Sequence, residues 1–100
     1  MYKLRYAKEV ENDLKAIFNY IAEDSETRAS QYLGKLEKHI LQLESFPETG
    51  HLSRYNELRA LGIRILPFEN YLIFYTISKK EEAVNIIRIL HGSVNYKNLF

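Results

Sequence analysis

Apolar residues and cations alternate at the start of the chain. Tyr2, Leu4 and Tyr6 share one side of an extended segment, and Lys3 and Arg5 take the other. This period of two predicts a half-buried strand at a sheet edge, with its cations turned to water. The period then changes. Val10, Leu14, Ile17 and Ile21 recur at spacings of four, three and four, drawing one apolar stripe along a helix of about four turns. Glu9, Glu11 and Asp13 occupy its first turns, where carboxylates complement the positive end of the helix dipole. Asp24-Ser25 supplies N-cap chemistry, and Ala29, Leu33, Leu36, Ile40 and Leu43 mark a longer second helix. Gly34 in its middle costs up to about 1 kcal/mol relative to alanine, which points to close approach of another backbone. Two amphipathic helices joined by a few polar residues predict an antiparallel hairpin. Phe46-Pro47 ends it, because proline disfavours helical geometry in the preceding residue.

Residues 50–60 show no period and read as a loop with room for one helical turn. Leu61, Ile63 and Ile65 then alternate with Gly62 and Arg64 in a strand stopped by Pro67. The next strand places Tyr71, Ile73, Tyr75 and Ile77 on one face and Leu72, Phe74 and Thr76 on the other. Both faces are largely apolar, so this strand belongs at the centre of the sheet. A charged turn, Lys79-Lys80-Glu81-Glu82, leads to a last strand from Ala83 to Leu90, apolar except for Asn85 and Arg88. A short tail, Ser93 to Phe100, is expected to turn helically. The order predicts a single α+β domain over residues 1–100: an N-terminal strand and an antiparallel helical hairpin packed on a mainly antiparallel sheet of about four strands.

Composition narrows the class. At 100 residues and 46% hydrophobic content, the chain has one core and no second domain. Without cysteine there is neither a disulfide framework nor a thiolate metal site. No apolar run approaches the roughly 18 residues needed to span a bilayer, so a soluble, cytoplasmic protein with no membrane partner is expected. The net charge of +1 is unevenly divided. Residues 1–50 hold seven Lys/Arg against nine Asp/Glu, and residues 51–100 seven against four. The basic excess therefore lies in the strand-rich half, yet it is small for neutralising several phosphates. Direct nucleic-acid binding is only weakly supported.

Four residues are candidates for chemistry. Arg88 interrupts an otherwise apolar strand, where a guanidinium needs either an ion-pair partner such as Glu69 or a role toward an anion or partner protein. Arg64 carries the same ambiguity, and two arginines on neighbouring strands would form one basic site. His91 ends the last strand and can exchange a proton near neutral pH, although a hydrogen-bonded structural histidine is the commoner case. Tyr96 could stack on a base or position a phosphate; packing on the sheet is the plainer reading. His39, His51 and His91 lack ligand spacing, so no metal is expected, and no glycine loop suggests a cofactor. Thirteen aromatics leave enough for an exposed patch that a partner would cover.

Several segments in order resemble the RelE/ParE superfamily of toxins from type II toxin-antitoxin modules. They are the strand Tyr2 to Tyr6, the run Asp13 to Glu23, Phe46-Pro47 with Gly50, Leu61-Gly62-Ile63-Arg64, Asn70 to Tyr75, and Arg88-Ile89-Leu90-His91-Gly92. The resemblance spans nearly the whole chain and implies a small toxin held inactive by a cognate antitoxin, with growth arrest when it is free. It implies one of two targets. ParE-like members inhibit DNA gyrase without a catalytic constellation, so Arg64, Arg88 and His91 would be target-binding. RelE-like members cut mRNA on the ribosome, and Arg64, Arg88, His91 and Tyr96 would be catalytic candidates. Leu72 stands where the nuclease branch commonly carries an arginine, which removes a charge stabiliser for phosphoryl chemistry and favours the ParE-like, non-enzymatic reading. Thr76 and Asn95 also depart from the pattern, at positions where many relatives have arginine and aspartate. They leave room for a third reading, a non-toxic protein of the same fold that only binds the antitoxin.

Overall fold

The computed structural model describes residues 1–100. Strand β1 (Lys3–Tyr6) leads into helix α1 (Lys8–Ala22) and helix α2 (Glu26–Leu41), which ends in a short 3-10 turn over Gln42–Glu44. Strand β2 (His51–Leu52), helix α3 (Asn56–Ala60), and strands β3 (Arg64–Phe68), β4 (Tyr71–Ser78) and β5 (Ala83–His91) follow. The strands form one sheet in the order β1-β5-β4-β3-β2. β1 runs parallel to β5, and every other pair is antiparallel. The α+β architecture is therefore the expected one, with β1 at an edge and β4 in the centre. A two-residue fifth strand, β2, adds to the four anticipated.

The periodicities work as they should. Val10 and Ile17 from α1, and Leu36 and Ile40 from α2, meet Leu66, Ile73, Tyr75, Val84, Ile86 and Ile89 from the sheet in the main core. The Ser25 side chain caps α2 by accepting the Arg28 backbone N–H at 3.1 Å. On the opposite face of the sheet a smaller core forms from Leu58, Ile63, Ile65, Phe74 and Leu90. The two faces of β4 thus carry the residues that its alternation assigned to them.

Four expectations need correction. Leu61 and Gly62 belong to the turn that ends α3, where Gly62 sits at φ +76°, so β3 starts only at Arg64. That positive φ favours glycine because it has no Cβ. Pro67 does not stop β3, which runs on to Phe68; it lies past the pairing with β2, where β3 is an edge and proline is tolerated. Gly34 meets no other backbone, since a Cβ there would have nothing within 4 Å. The tail from Ser93 onward makes turns and no helix.

A register shift between Phe74/Tyr75 and β5 matters most for function. Phe74 pairs with Arg88 but Tyr75 with Ile86, leaving Ile87 as the extra residue of a bulge. The bulge resets the alternation of β5. Val84, Ile86 and Ile89 consequently face the helices, whereas Ile87 and Leu90 face the second core.

Candidate functional site

Arg88 sits on this bulge, beyond the point where β1 protects the edge of β5. β1 pairs only as far as Ile86, after which the chain turns into α1 and leaves the β5 edge open. Asp13 of α1 closes it. Its carboxylate accepts Arg88 Nε and Nη2, each at 2.9 Å, and the backbone N–H of Ile89 at 2.9 Å. A two-toothed arginine pair and an edge N–H are thereby satisfied together. The side chains are 28% and 10% exposed for Arg88 and Asp13, and the bonded carboxylate pushes the Arg88 pKa up further. The ion-pair partner is thus Asp13 and not Glu69: β1 stops pairing at Ile86, so the Arg88 guanidinium can reach around the open edge of β5 to α1, whereas Glu69 lies at the β3–β4 turn.

Arg64 has a different task. It lies opposite Tyr75 in the β3–β4 pair, and its Nη1 donates to the Gly50 carbonyl at 2.6 Å. The buried Tyr75 hydroxyl accepts the Gly50 N–H at 2.8 Å and donates to the Pro47 carbonyl at 2.7 Å. Both side chains pin the loop that follows the helical hairpin. Gly50 is required there: a Cβ would stand 2.6 Å from the Tyr75 hydroxyl and 2.8 Å from the Ile65 carbonyl. Because Arg64 and Arg88 lie opposite residues on different faces of β4, they do not form one basic site.

His91 ends β5 across from Tyr71, with the two rings 5.4 Å apart and nearly perpendicular. The Ser93 N–H donates to His91 Nδ1 at 3.1 Å, and the Ser93 hydroxyl lies 2.8 Å from the same nitrogen. Tyr96 lies elsewhere, on the face away from the helices. It packs on Phe74 at 4.8 Å and on Tyr55 at 5.5 Å, while Phe100 covers Phe74 at 5.1 Å. The tail thus roofs the second core. No group of three or more His, Asp or Glu side chains is placed to hold a metal, and no helix is long and apolar enough to cross a membrane.

Two features of this open face escape a reading of the sequence. Arg54 and Lys97 approach the Tyr55 ring at 5.2 and 5.5 Å, forming a basic, aromatic rim beside Tyr96. Next to it runs a groove of about 440 Å³ lined by Leu61, Ile63, Thr76, Arg88, Leu99 and Phe100, among others. Leu61 is 63% exposed and Leu99 48%. Thr76 is held loosely by Asn85 across the strand pair at 3.5 Å, and Leu72 packs into the second core. Long-range partners such as Lys97 and Tyr55 carry no sequence signal, but Asp13 does. It falls between Val10 and Ile17 on the buried stripe of α1, where a carboxylate demands a partner.

A family-model match and similar folds together place this N-terminal strand, helical hairpin and mainly antiparallel sheet in the RelE/ParE superfamily of toxins. Within it, residues 4–96 match the family model described as the ParE toxin of type II toxin-antitoxin system, parDE, and the chain belongs to that family. Its fold is similar to a chain of the chromosomal ParDE system from P. aeruginosa, at 19% identity and a TM-score of 0.74, covering 91% of this chain and 96% of that one. The isolated E. coli RelE toxin is also similar, at 12% identity and TM-score 0.63 over 95% of this chain and 88% of that one. So is a chain of the intact E. coli RelBE toxin-antitoxin complex, at 11% and 0.63 over 94% and 100%. No curated protein matches the sequence.

Proposed function

We propose that this toxin arrests growth by binding DNA gyrase through the sheet face opposite its helices, and that a cognate antitoxin neutralises it. The carrying observation is the dispersal of the groups a nuclease would use. Arg88 is bound to Asp13, Arg64 to the Gly50 carbonyl, and His91 lies at the other end of the sheet from the Arg64 loop. General acid–base cleavage needs a proton acceptor and a charge stabiliser within reach of one substrate atom. An apolar groove with exposed leucines and a phenylalanine suits a protein partner instead. The antitoxin reading is supported by family membership and by the similar fold of a chain in the crystallised E. coli RelBE toxin-antitoxin complex.

A second reading has its own observation. Arg54, Tyr55, Tyr96 and Lys97 bring cations and stacking surfaces together, which is the make-up of a single-strand RNA surface. The deciding experiment adds the purified, antitoxin-free chain to gyrase and relaxed plasmid. Loss of supercoiling or trapped cleaved DNA at stoichiometric toxin is expected. Normal supercoiling, together with cut mRNA on translating ribosomes, would transfer the function to the RNA reading. Unimpaired growth of cells expressing the chain alone would leave only the non-toxic antitoxin-binding reading.

A further inference from the structure

The end of the molecule that carries His91 holds a second, unassigned depression of about 510 Å³. Four elements build it. Tyr20 comes from α1, Tyr32 from α2, Tyr71 from β4 and His91 from β5, with Glu69 at the β3–β4 turn. The Tyr32 and Tyr71 rings meet at 62° with centroids 6.1 Å apart, and His91 closes the far side of Tyr71 at 83°. Rings at steep angles form walls and not a stack.

The floor of the depression is fixed by backbone. Phe68 pairs directly with Tyr71, so Glu69-Asn70 is a two-residue turn in which Glu69 takes φ +52°. A glutamate is rarely found in this left-handed region. The Asn70 carbonyl accepts the Gly92 N–H at 2.7 Å, tying the turn to the end of β5. Ser93 in turn orients the His91 ring. Glu69 therefore lines the rim, where its carboxylate faces the Tyr32 hydroxyl and no salt bridge engages it.

The charge balance is one-sided. No lysine or arginine lines the depression. A neighbouring one shares Tyr20 and Ile21 and adds Glu23, Asp24 and Arg28; there Arg28 is taken by Asp24, and Glu23 has no ion-pair partner. Aromatic faces beside a carboxylate that no cation neutralises attract an organic cation, through ring quadrupole and charge together. Tyr20 is 73% exposed, so one wall is open to solvent and a small free ion would not be enclosed. We propose that this depression receives an arginine or lysine side chain presented by a protein partner, clamped between the tyrosine rings and Glu69. The site is separate from the sheet face assigned to gyrase, and the proposal does not rest on that assignment.

The test is a titration of the full-length chain, followed through the aromatic NMR resonances of Tyr20, Tyr32 and Tyr71. The probe is acetyl-arginine amide, with the uncharged isostere acetyl-citrulline amide as control. Saturable shifts with the arginine probe alone are expected, weakened about tenfold by Glu69→Gln. Tyr20→Leu, at the exposed wall, provides a second variant that leaves the fold intact, and it should weaken binding in the same direction. Equal shifts from citrulline, or none from arginine in folded protein, would overturn the proposal. Tighter binding of tetramethylammonium than of the arginine probe would overturn the side-chain assignment in favour of a free quaternary amine.

Discussion

Asp13 is the polar side chain on which three donors converge, two from Arg88 and one from the Ile89 backbone. Removing it strands a partly buried guanidinium and an edge N–H of β5 at once. Asp13→Ala is expected to cost about 3 kcal/mol, the upper range for breaking a charge-assisted, part-buried pair. Arg88→Ala should cost less, about 1 to 2 kcal/mol, because Asp13 keeps the Ile89 N–H and can recruit water. The double variant should then lie close to Asp13→Ala alone. Urea midpoints measured for the three variants check this, and equal costs for both single changes would contradict the three-donor account. A loss of toxicity in Arg88→Ala has to be read against the same numbers, since it can reflect the fold and not a target contact.

At the scale of elements, Gly34 offers the cleanest expectation. It sits in mid-α2 with open space around the missing Cβ, so alanine there removes a conformational cost and adds no clash. Gly34→Ala should stabilise the chain by about 0.5 to 1 kcal/mol, raising its melting temperature; a decrease would mean that something covers this face. Most elements were legible in the sequence because each buries one continuous stripe: Val10 to Ile21 on α1, Ala29 to Leu43 on α2 and its following turn, and the two alternating sets of β4. What escaped was set by tertiary geometry. The bulge at Ile87 moves Ile89 to the helix face, and no residue pattern announces it. The true partner of Arg88 escaped as well, because the pair with Asp13 is made across the β5 edge that β1 leaves open beyond Ile86. Tyr96 and Phe100 form a roof only because the chain folds back over Phe74, a contact without periodicity. The Arg54–Tyr55–Lys97 rim was equally invisible, being assembled from segments more than forty residues apart.

For the molecule as a whole, the two sheet faces differ in what they can tolerate. The helix-covered face includes the buried Tyr75 and the half-buried Tyr32 and Tyr71, which fix its response to alkali. Burial pushes Tyr75 and Tyr71 above the ordinary 10.0, and burial together with the facing Glu69 pushes Tyr32 up to about 12. Between those limits the unfolded chain has released protons that the folded chain retains, so stability falls as pH rises. The contribution is complete below pH 10 and lost by about pH 12. Urea midpoints should drop across that window, and Tyr32→Phe should flatten the drop; an unchanged slope would show that Tyr32 titrates alike in both states. The open face has the opposite character, with apolar side chains left in water around Arg88 and the tail. Leu61 contributes almost nothing to folding at 63% exposure, yet it lines the groove proposed for gyrase. A charge placed there would be desolvated on binding and unpaired. Leu61→Glu should therefore weaken gyrase inhibition by about tenfold or more with an unchanged urea midpoint. Undiminished inhibition by this variant would move the target contact off the groove and onto the Arg54–Tyr55–Tyr96–Lys97 rim.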